Sequence, residues 1–232
     1  MHSPFMYAFT DGCLRIALDV EDSRKLNAVY KGFLNSKATI QIQDFGAGSK
    51  RLGNTRSIQQ IAKTSSSNGK YGQLLYRLSR SYKPERILEF GTSLGIGTHH
   101  LHLGNPGAEI TTVEACSNTF NAAKARLPES VKALNMTFDE FLRSEVEGVY
   151  HLIFIDGHHD GKALIDYVNR LLPYSDDETV FVLDDIRWSD SMFEAWKQLS
   201  EDERFHVSID LFRVGIILRR PTQRKEMFVT RY

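Results

Sequence analysis

Residues 86–98 read Arg86-Ile87-Leu88-Glu89-Phe90-Gly91-Thr92-Ser93-Leu94-Gly95-Ile96-Gly97-Thr98. A short apolar run, too brief for a helix, meets three glycines spaced G-x-x-x-G-x-G, and the residues beyond them read as a helix. Glycine lets a backbone turn sharply and approach a ligand. A helix that starts at such a turn offers unpaired N–H groups to negative charge. The spacing is neither the G-x-G-x-x-G of dinucleotide folds nor the G-x-x-x-x-G-K-[ST] of phosphate loops. The next β-rich run, EITTVE (109–114), ends in Glu114, 23 residues beyond Gly91. A carboxylate there suits a two-oxygen grip on ribose hydroxyls.

The alternation continues downstream. A helix runs from about Gly95 to Leu103 and another from about Asn118 to Arg126, followed by VKAL (131–134) and a helix near Phe138 to Glu145. VYHLIFID (149–156), a helix from about Gly161 to Leu172, TVFVLDD (179–185) and a helix near Ser189 to Leu199 complete the series. Strands separated by helices need right-handed crossovers. The expected fold is therefore α/β: a doubly wound, Rossmann-like sheet, mostly parallel and covered on both faces. RFHVSIDLF (204–212) and VGIILRR (214–220) are separated by Arg213 alone, which predicts an antiparallel C-terminal hairpin on the sheet edge.

Upstream, Tyr71, Leu74, Leu75 and Leu78 form a helical stripe that Pro84 closes. Before the polar run 65–69, Leu26, Val29, Tyr30, Phe33 and Leu34 recur at helical spacing, and Ile40 and Ile42 alternate with glutamines. A glycine loop follows (44–50), then a helix around Ser57 to Lys63. No strand–helix unit repeats there, so residues 1–68 are expected to be a mainly helical N-terminal cap on a ligand-binding domain of residues 69–232. Within the loop, Asp44-Phe45-Gly46 has none of the companion motifs of a kinase. Lys50 and Arg51 there could serve a lid or an ordinary turn.

The chain has 232 residues with 29 basic and 29 acidic side chains, so its net charge is zero, and 41% of it is hydrophobic. Such a chain can bury its own core and has no electrostatic footprint for bulk nucleic acid or a membrane surface. Cys13 and Cys116 show no metal-ligand spacing. No apolar run approaches the ~20 residues of a membrane span. The first twenty residues lack the pattern of a signal peptide, so a cytoplasmic location is expected. Arg219, Arg220, Arg224 and Lys225 read as a solvated tail.

ILEFGTSLGIGT (87–98) resembles motif I of class I S-adenosylmethionine-dependent methyltransferases, and TTVEA (111–115) resembles their ribose-binding strand. IFIDGHH (153–159) and VLDD (182–185), followed by Ile-Arg-Trp-Ser, are similar to the small-molecule O-methyltransferases of the catechol and caffeoyl-CoA type and their bacterial relatives. The resemblance covers roughly residues 57–220. It implies that Glu89 and the turn residues Gly91, Thr92, Ser93, Gly95, Gly97 and Thr98 hold the methionine end of S-adenosyl-L-methionine, with Asp156 also on the cofactor. Glu114 would take the ribose, Ala115 would lie beside the adenine, and Thr137 and Phe138 would border its edge.

Asp156 ends one strand and Asp184 and Asp185 end the next, so three carboxylates converge. Left unpaired they repel one another, and a hard dication such as Mg²⁺ or Ca²⁺ would relieve this. In the catechol-like family this arrangement binds a metal, although Asp185 stands where the family usually has Asn. The other reading is metal-free, with Asp184 or Asp185 capping a helix or meeting the cofactor's amino group. His159, three residues after Asp156, is the candidate base for an acceptor hydroxyl, with His158 in reserve. The Gly-His-His-Asp-Gly run lacks the spacing of a zinc hydrolase. His99, His100 and His102 read as helix-surface residues, Trp188 as a pocket wall or core, and Trp196 as core. The expected activity is transfer of the S-adenosylmethionine methyl to an oxygen of a small-molecule acceptor. A non-catalytic cofactor-binding module and a protein or RNA methyltransferase are the alternatives. No nucleic-acid or membrane partner is expected, and whether the chain forms a homodimer stays open.

Overall fold

The structure, a computed structural model, describes residues 3–43, 55–64, 67 and 69–232. The glycine loop with Lys50 and Arg51 lies outside the described residues, as do Ser65, Ser66 and Asn68 of the polar run. From the N-terminus come α1 (Pro4–Phe9), a π turn (Thr10–Leu14), α2 (Val20–Leu34), β1 (Thr39–Gln41), β2 (Thr55–Ser57), α3 (Ile58–Thr64) and α4 (Lys70–Tyr82). The alternating region follows: β3 (Arg86–Phe90), α5 (Ile96–Gly104), β4 (Glu109–Glu114), α6 (Ser117–Lys124), β5 (Lys132–Asn135) and α7 (Phe138–Ser144). It continues with β6 (Leu152–Ile155), α8 (Gly161–Leu171), β7 (Val180–Leu183) and α9 (Asp190–Glu201). The chain ends in β8 (Val207–Asp210), β9 (Gly215–Leu218) and β10 (Glu226–Val229).

Eight strands form one sheet in the order β10-β8-β9-β7-β6-β3-β4-β5. The strands from β3 to β7 all pair parallel, while β9 is antiparallel to both β7 and β8. Every residue of β6 and β7 is buried, as parallel strands covered on both faces require. Side chains alternate between the two layers: Ile87, Leu152 and Phe154 pack with α4 and α5, whereas Leu88, Ile153 and Ile155 pack with α7, α8 and α9. The N-terminal segments share these cores. Phe9 and Cys13 enter the first layer, and Phe33 of α2 packs with Ile61, Leu94 and Ile96.

The expected antiparallel C-terminal hairpin forms from β8 and β9 beside β7, but it is not the outermost edge of the sheet. After the tight turn at Arg213, β9 folds back between β7 and β8, because Gly215–Leu218 is buried along its whole length. The outer edge is β10, parallel to β8, whose residues alternate between half-buried and exposed. The basic stretch before it is anchored rather than a solvated tail. Arg219 and Arg220 pair with Asp177 and Glu178 at 3.6 and 2.7 Å, and the Lys225 ammonium donates to the Asp202 carbonyl at 2.6 Å. A second correction concerns α5. His99 and His100 are buried, not on the surface, because α4 and α2 cover the helix faces that the sheet leaves open. Burial pushes both imidazoles down to about 4.

Candidate active site

The chain leaves β3 for β4 and β5 on one side and returns to β6 and β7 on the other, so the strand order reverses between β3 and β6. Ligands of open α/β sheets bind at this reversal, outside the carboxyl ends of the strands. Gly91 and Asp156 occupy it. A Cβ on Gly91, whose φ is +97°, would lie 1.8 Å from the Asp156 carbonyl oxygen, so only glycine lets the two strand ends approach. A side chain on Gly97 would press on the Glu89 carboxylate at 2.7 Å. Gly95 takes φ +78° as the residue before α5, and a Cβ there would meet Leu127. Thr92 ties the turn to the sheet through the Thr112 hydroxyl at 2.6 Å.

Two glutamates lie on either side of this turn. Glu89 is 1% exposed, and its Oε2 accepts from the Thr98 hydroxyl at 2.5 Å. Burial pushes its acid up to about 7, the Thr98 and Thr112 hydroxyls oppose this, and the Glu114 charge adds to it. Glu114 is clamped by backbone: the Ser93 and Cys116 N–H groups donate to its two oxygens, each at 2.9 Å. Burial still raises its acid above the ordinary value. The carboxylate is thereby fixed against the glycine turn, with lone pairs left for further donors. Ala115 is held alongside by the Asn135 amide, which donates to the Glu114 and Ala115 carbonyls. Phe138 stacks on Phe90 with centroids 4.4 Å apart and presses on Gly157. Thr137 is committed to capping α7, its hydroxyl and N–H both paired with Glu140.

At the ends of β6 and β7 the carboxylates do converge, but they are not unpaired. The His159 Nε2 lies 4.0 Å from Asp156 Oδ1 and 3.9 Å from Asp185 Oδ2. Arg213 Nε lies 2.9 Å from Asp185 Oδ1 and 3.4 Å from Asp184 Oδ1. Burial and the Asp184 charge push the Asp185 acid up, while Arg213 and His159 pull it down. His158 turns away to Tyr167, its Nδ1 2.6 Å from the hydroxyl. Trp188, half exposed, lies 5.4 Å from the His159 ring, whereas Trp196 is core and donates to Asp210. Arg213 was missed in the sequence, where it counted only as the hairpin's separating residue.

Residues 88–186 match the family model described as "Methyltransferase domain". Residues 88–186 thus carry a methyltransferase domain. No curated protein matches it in sequence. Among solved structures, the methyltransferase is similar to the O-methyltransferase from Bacillus cereus in complex with SAH, at 16% identity over 92% of this chain and 96% of that one, TM-score 0.59. It is also similar to the O-methyltransferase TomG from Streptomyces achromogenes, in complex with SAM and involved in tomaymycin synthesis, at 18% identity over 92% and 94%, TM-score 0.58. The SAH-bound methyltransferase PaMTH1 from Podospora anserina matches at 18% identity over 88% and 97%, TM-score 0.57. At such identities these structures establish the shared fold.

The divalent cation that the family implies meets a poor fit in this methyltransferase. Among the described residues, no group of three or more His, Cys, Asp or Glu side chains is arranged to hold a metal ion. Asp184 and Asp185 instead face a guanidinium, which a dication would have to displace or oppose. Among the described residues, no helix is long and apolar enough to cross a membrane.

Proposed function

We propose that this methyltransferase moves the methyl group of S-adenosylmethionine to an oxygen of a small-molecule acceptor, with residues 1–68 acting as a cap on the catalytic domain of residues 69–232. The cofactor supplies a methyl group already activated on a sulfonium. Glu89, Asp156 and the turn Gly91, Thr92, Ser93, Gly95, Gly97 and Thr98 would hold its methionine end, Glu114 its ribose, and Ala115 and Phe138 its adenine. Thr137 would act there through the helix it caps.

The protein then has two tasks: to aim an acceptor oxygen and to remove its proton. His159 lies between the carboxylates of Asp156 and Asp185, 4.0 and 3.9 Å from them, which hold the ring at the mouth of the strand ends. Trp188 offers an exposed aromatic face next to it, suited to a flat acceptor. His158, bonded to Tyr167, supports the loop.

The observation that carries the reading is Glu114, fixed by two backbone N–H groups against the glycine turn at the strand reversal. Calorimetric titration with S-adenosylhomocysteine tests it. Glu114→Ala should weaken binding by ~1–3 kcal/mol, the range for hydrogen bonds to a charged group. Equal affinity in both proteins would remove the basis of the assignment. Labelled-methyl transfer to a panel of hydroxyl compounds then addresses the acceptor class.

A further inference from the structure

We propose that Arg213, rather than a divalent cation, is the countercharge of the Asp184–Asp185 pair, so that the acceptor site is built to operate without metal. This rests on the methyltransferase reading and concerns the same cleft.

The carboxylates that meet at these strand ends are Asp156, Asp184 and Asp185. Asp184 is 3% exposed, and among the described residues neither of its carboxylate oxygens accepts a hydrogen bond. A buried carboxylate in that state needs a countercharge, and Arg213, 3.4 Å away, supplies it. The same guanidinium holds Asp185 at 2.9 Å. Its placement is fixed by backbone as well as by charge. The Ile186 N–H donates to the Arg213 carbonyl at 2.9 Å, tying the β8–β9 turn to the residue next to Asp185. On its other side the guanidinium lies over the Tyr71 ring, 5.4 Å from the centroid, at the start of α4.

Three elements therefore hold one cation against two carboxylates, and His159 takes the remaining side of Asp185. Together, Asp156, Asp184, Asp185 and Arg213 still leave an excess of negative charge, which a sulfonium or an imidazolium matches. Metal chelation by two neighbouring acceptor oxygens has no place in such a cleft. The acceptor is instead selected by a single hydroxyl near His159 and by its fit to Trp188.

Mn²⁺ alone, followed by electron paramagnetic resonance, tests this on the full chain with S-adenosylhomocysteine present. The wild type should leave added Mn²⁺ in its free signal up to about millimolar, weaker than dedicated oxygen-ligand cation sites. Arg213→Ala should bind one equivalent at least about tenfold more tightly than wild type, because it exposes the paired carboxylates. Asp184→Asn on that background should abolish the gain. Stoichiometric Mn²⁺ binding by the wild type, lost in Asp184→Asn, would overturn the proposal, and this arm does not depend on the Arg213 variant folding. A well-folded Arg213→Ala with no gain would overturn it too, since the carboxylates would then not form a cation site at all. Calorimetry with S-adenosylhomocysteine on the same preparations separates the two levels. Loss of that binding in the wild type refutes the methyltransferase reading, whereas Mn²⁺ binding alongside it refutes only the role of Arg213.

Discussion

Glu89→Gln isolates the energetic effect of burying an acid beneath the glycine turn. The side chain is 1% exposed, so solvent screening does not dilute the effect. Its acid is pushed from an ordinary 4.5 up to about 7, chiefly by burial. A folded value above the unfolded one means that the folded chain binds the proton more tightly. The resulting stability is fully present below pH 4.5 and is lost as pH rises through about 7. A displacement of about 2.5 units at 1.36 kcal/mol each amounts to about 3 kcal/mol, most of it falling between pH 5 and 8.

Gln keeps the shape and an oxygen for the Thr98 hydroxyl but cannot ionise. Urea unfolding of both proteins at pH 5 and pH 8 should therefore show the wild type losing roughly 2–3 kcal/mol more than the variant. Parallel pH dependence in the two would refute the argument, because Glu89 would then titrate as an exposed acid does. A functional corollary follows if Glu89 holds the cationic end of the cofactor. Wild-type affinity for S-adenosylhomocysteine should rise with pH through 7, while that of Glu89→Gln should stay level.

His159→Ala should lower kcat by ~10²–10⁴, the usual contribution of a positioned proton acceptor, with affinity for S-adenosylhomocysteine and melting temperature near wild type; a destabilised but fully active variant would assign His159 a packing role only. His100 gives the opposite pH signature to Glu89. Its imidazole is buried, its Nδ1 lies 2.8 Å from the Ile96 carbonyl, and burial pushes it from 6.5 down to about 4, so its contribution is present above pH 6.5 and lost as pH falls through about 4. His100→Leu should remove about 3 kcal/mol of the acid sensitivity in that window, measured by unfolding at pH 4 and 7, and an unchanged acid slope would count against a buried neutral imidazole.

What the sequence disclosed and what it concealed divide along the range of the interactions. The glycine turn, Glu114, Asp156 and the Asp184–Asp185 pair sit at strand ends, and a doubly wound topology brings strand ends to one edge whatever else the chain does. Alternation alone places them. Arg213 acts through a non-local pairing: its side chain reaches Asp184 only because β9 inserts between β7 and β8, and residue spacing carries no sign of that choice. The edge strand β10 is four residues with exposed alternate positions, a pattern that polar linkers share. The histidines of α5 misled for a related reason. A helix with polar residues on one side reads as solvent-facing until another segment, here α2, covers that side.

The cleft also concentrates backbone conformations that side chains disfavour. Ser93, His158, His159 and Asp185 all have positive φ, at 48°, 65°, 27° and 52°. Such residues cost of order 1–3 kcal/mol each and persist only where their surroundings over-determine them. For three of them the structure shows what does so. The Ser93 N–H is committed to Glu114, the His158 ring to Tyr167, and the Asp185 carboxylate to Arg213. Glycine at these positions would relieve the strain but remove the tether, because the constraint acts through the side chain at two of them. The third tether, Ser93, needs only a backbone N–H, so Ser93→Gly is the substitution that relieves strain and keeps the bond to Glu114. That asymmetry separates the two halves of the cleft. The Glu114 side is held by main-chain donors and depends little on residue identity at position 93, whereas the His158–Asp185 side is held through side chains.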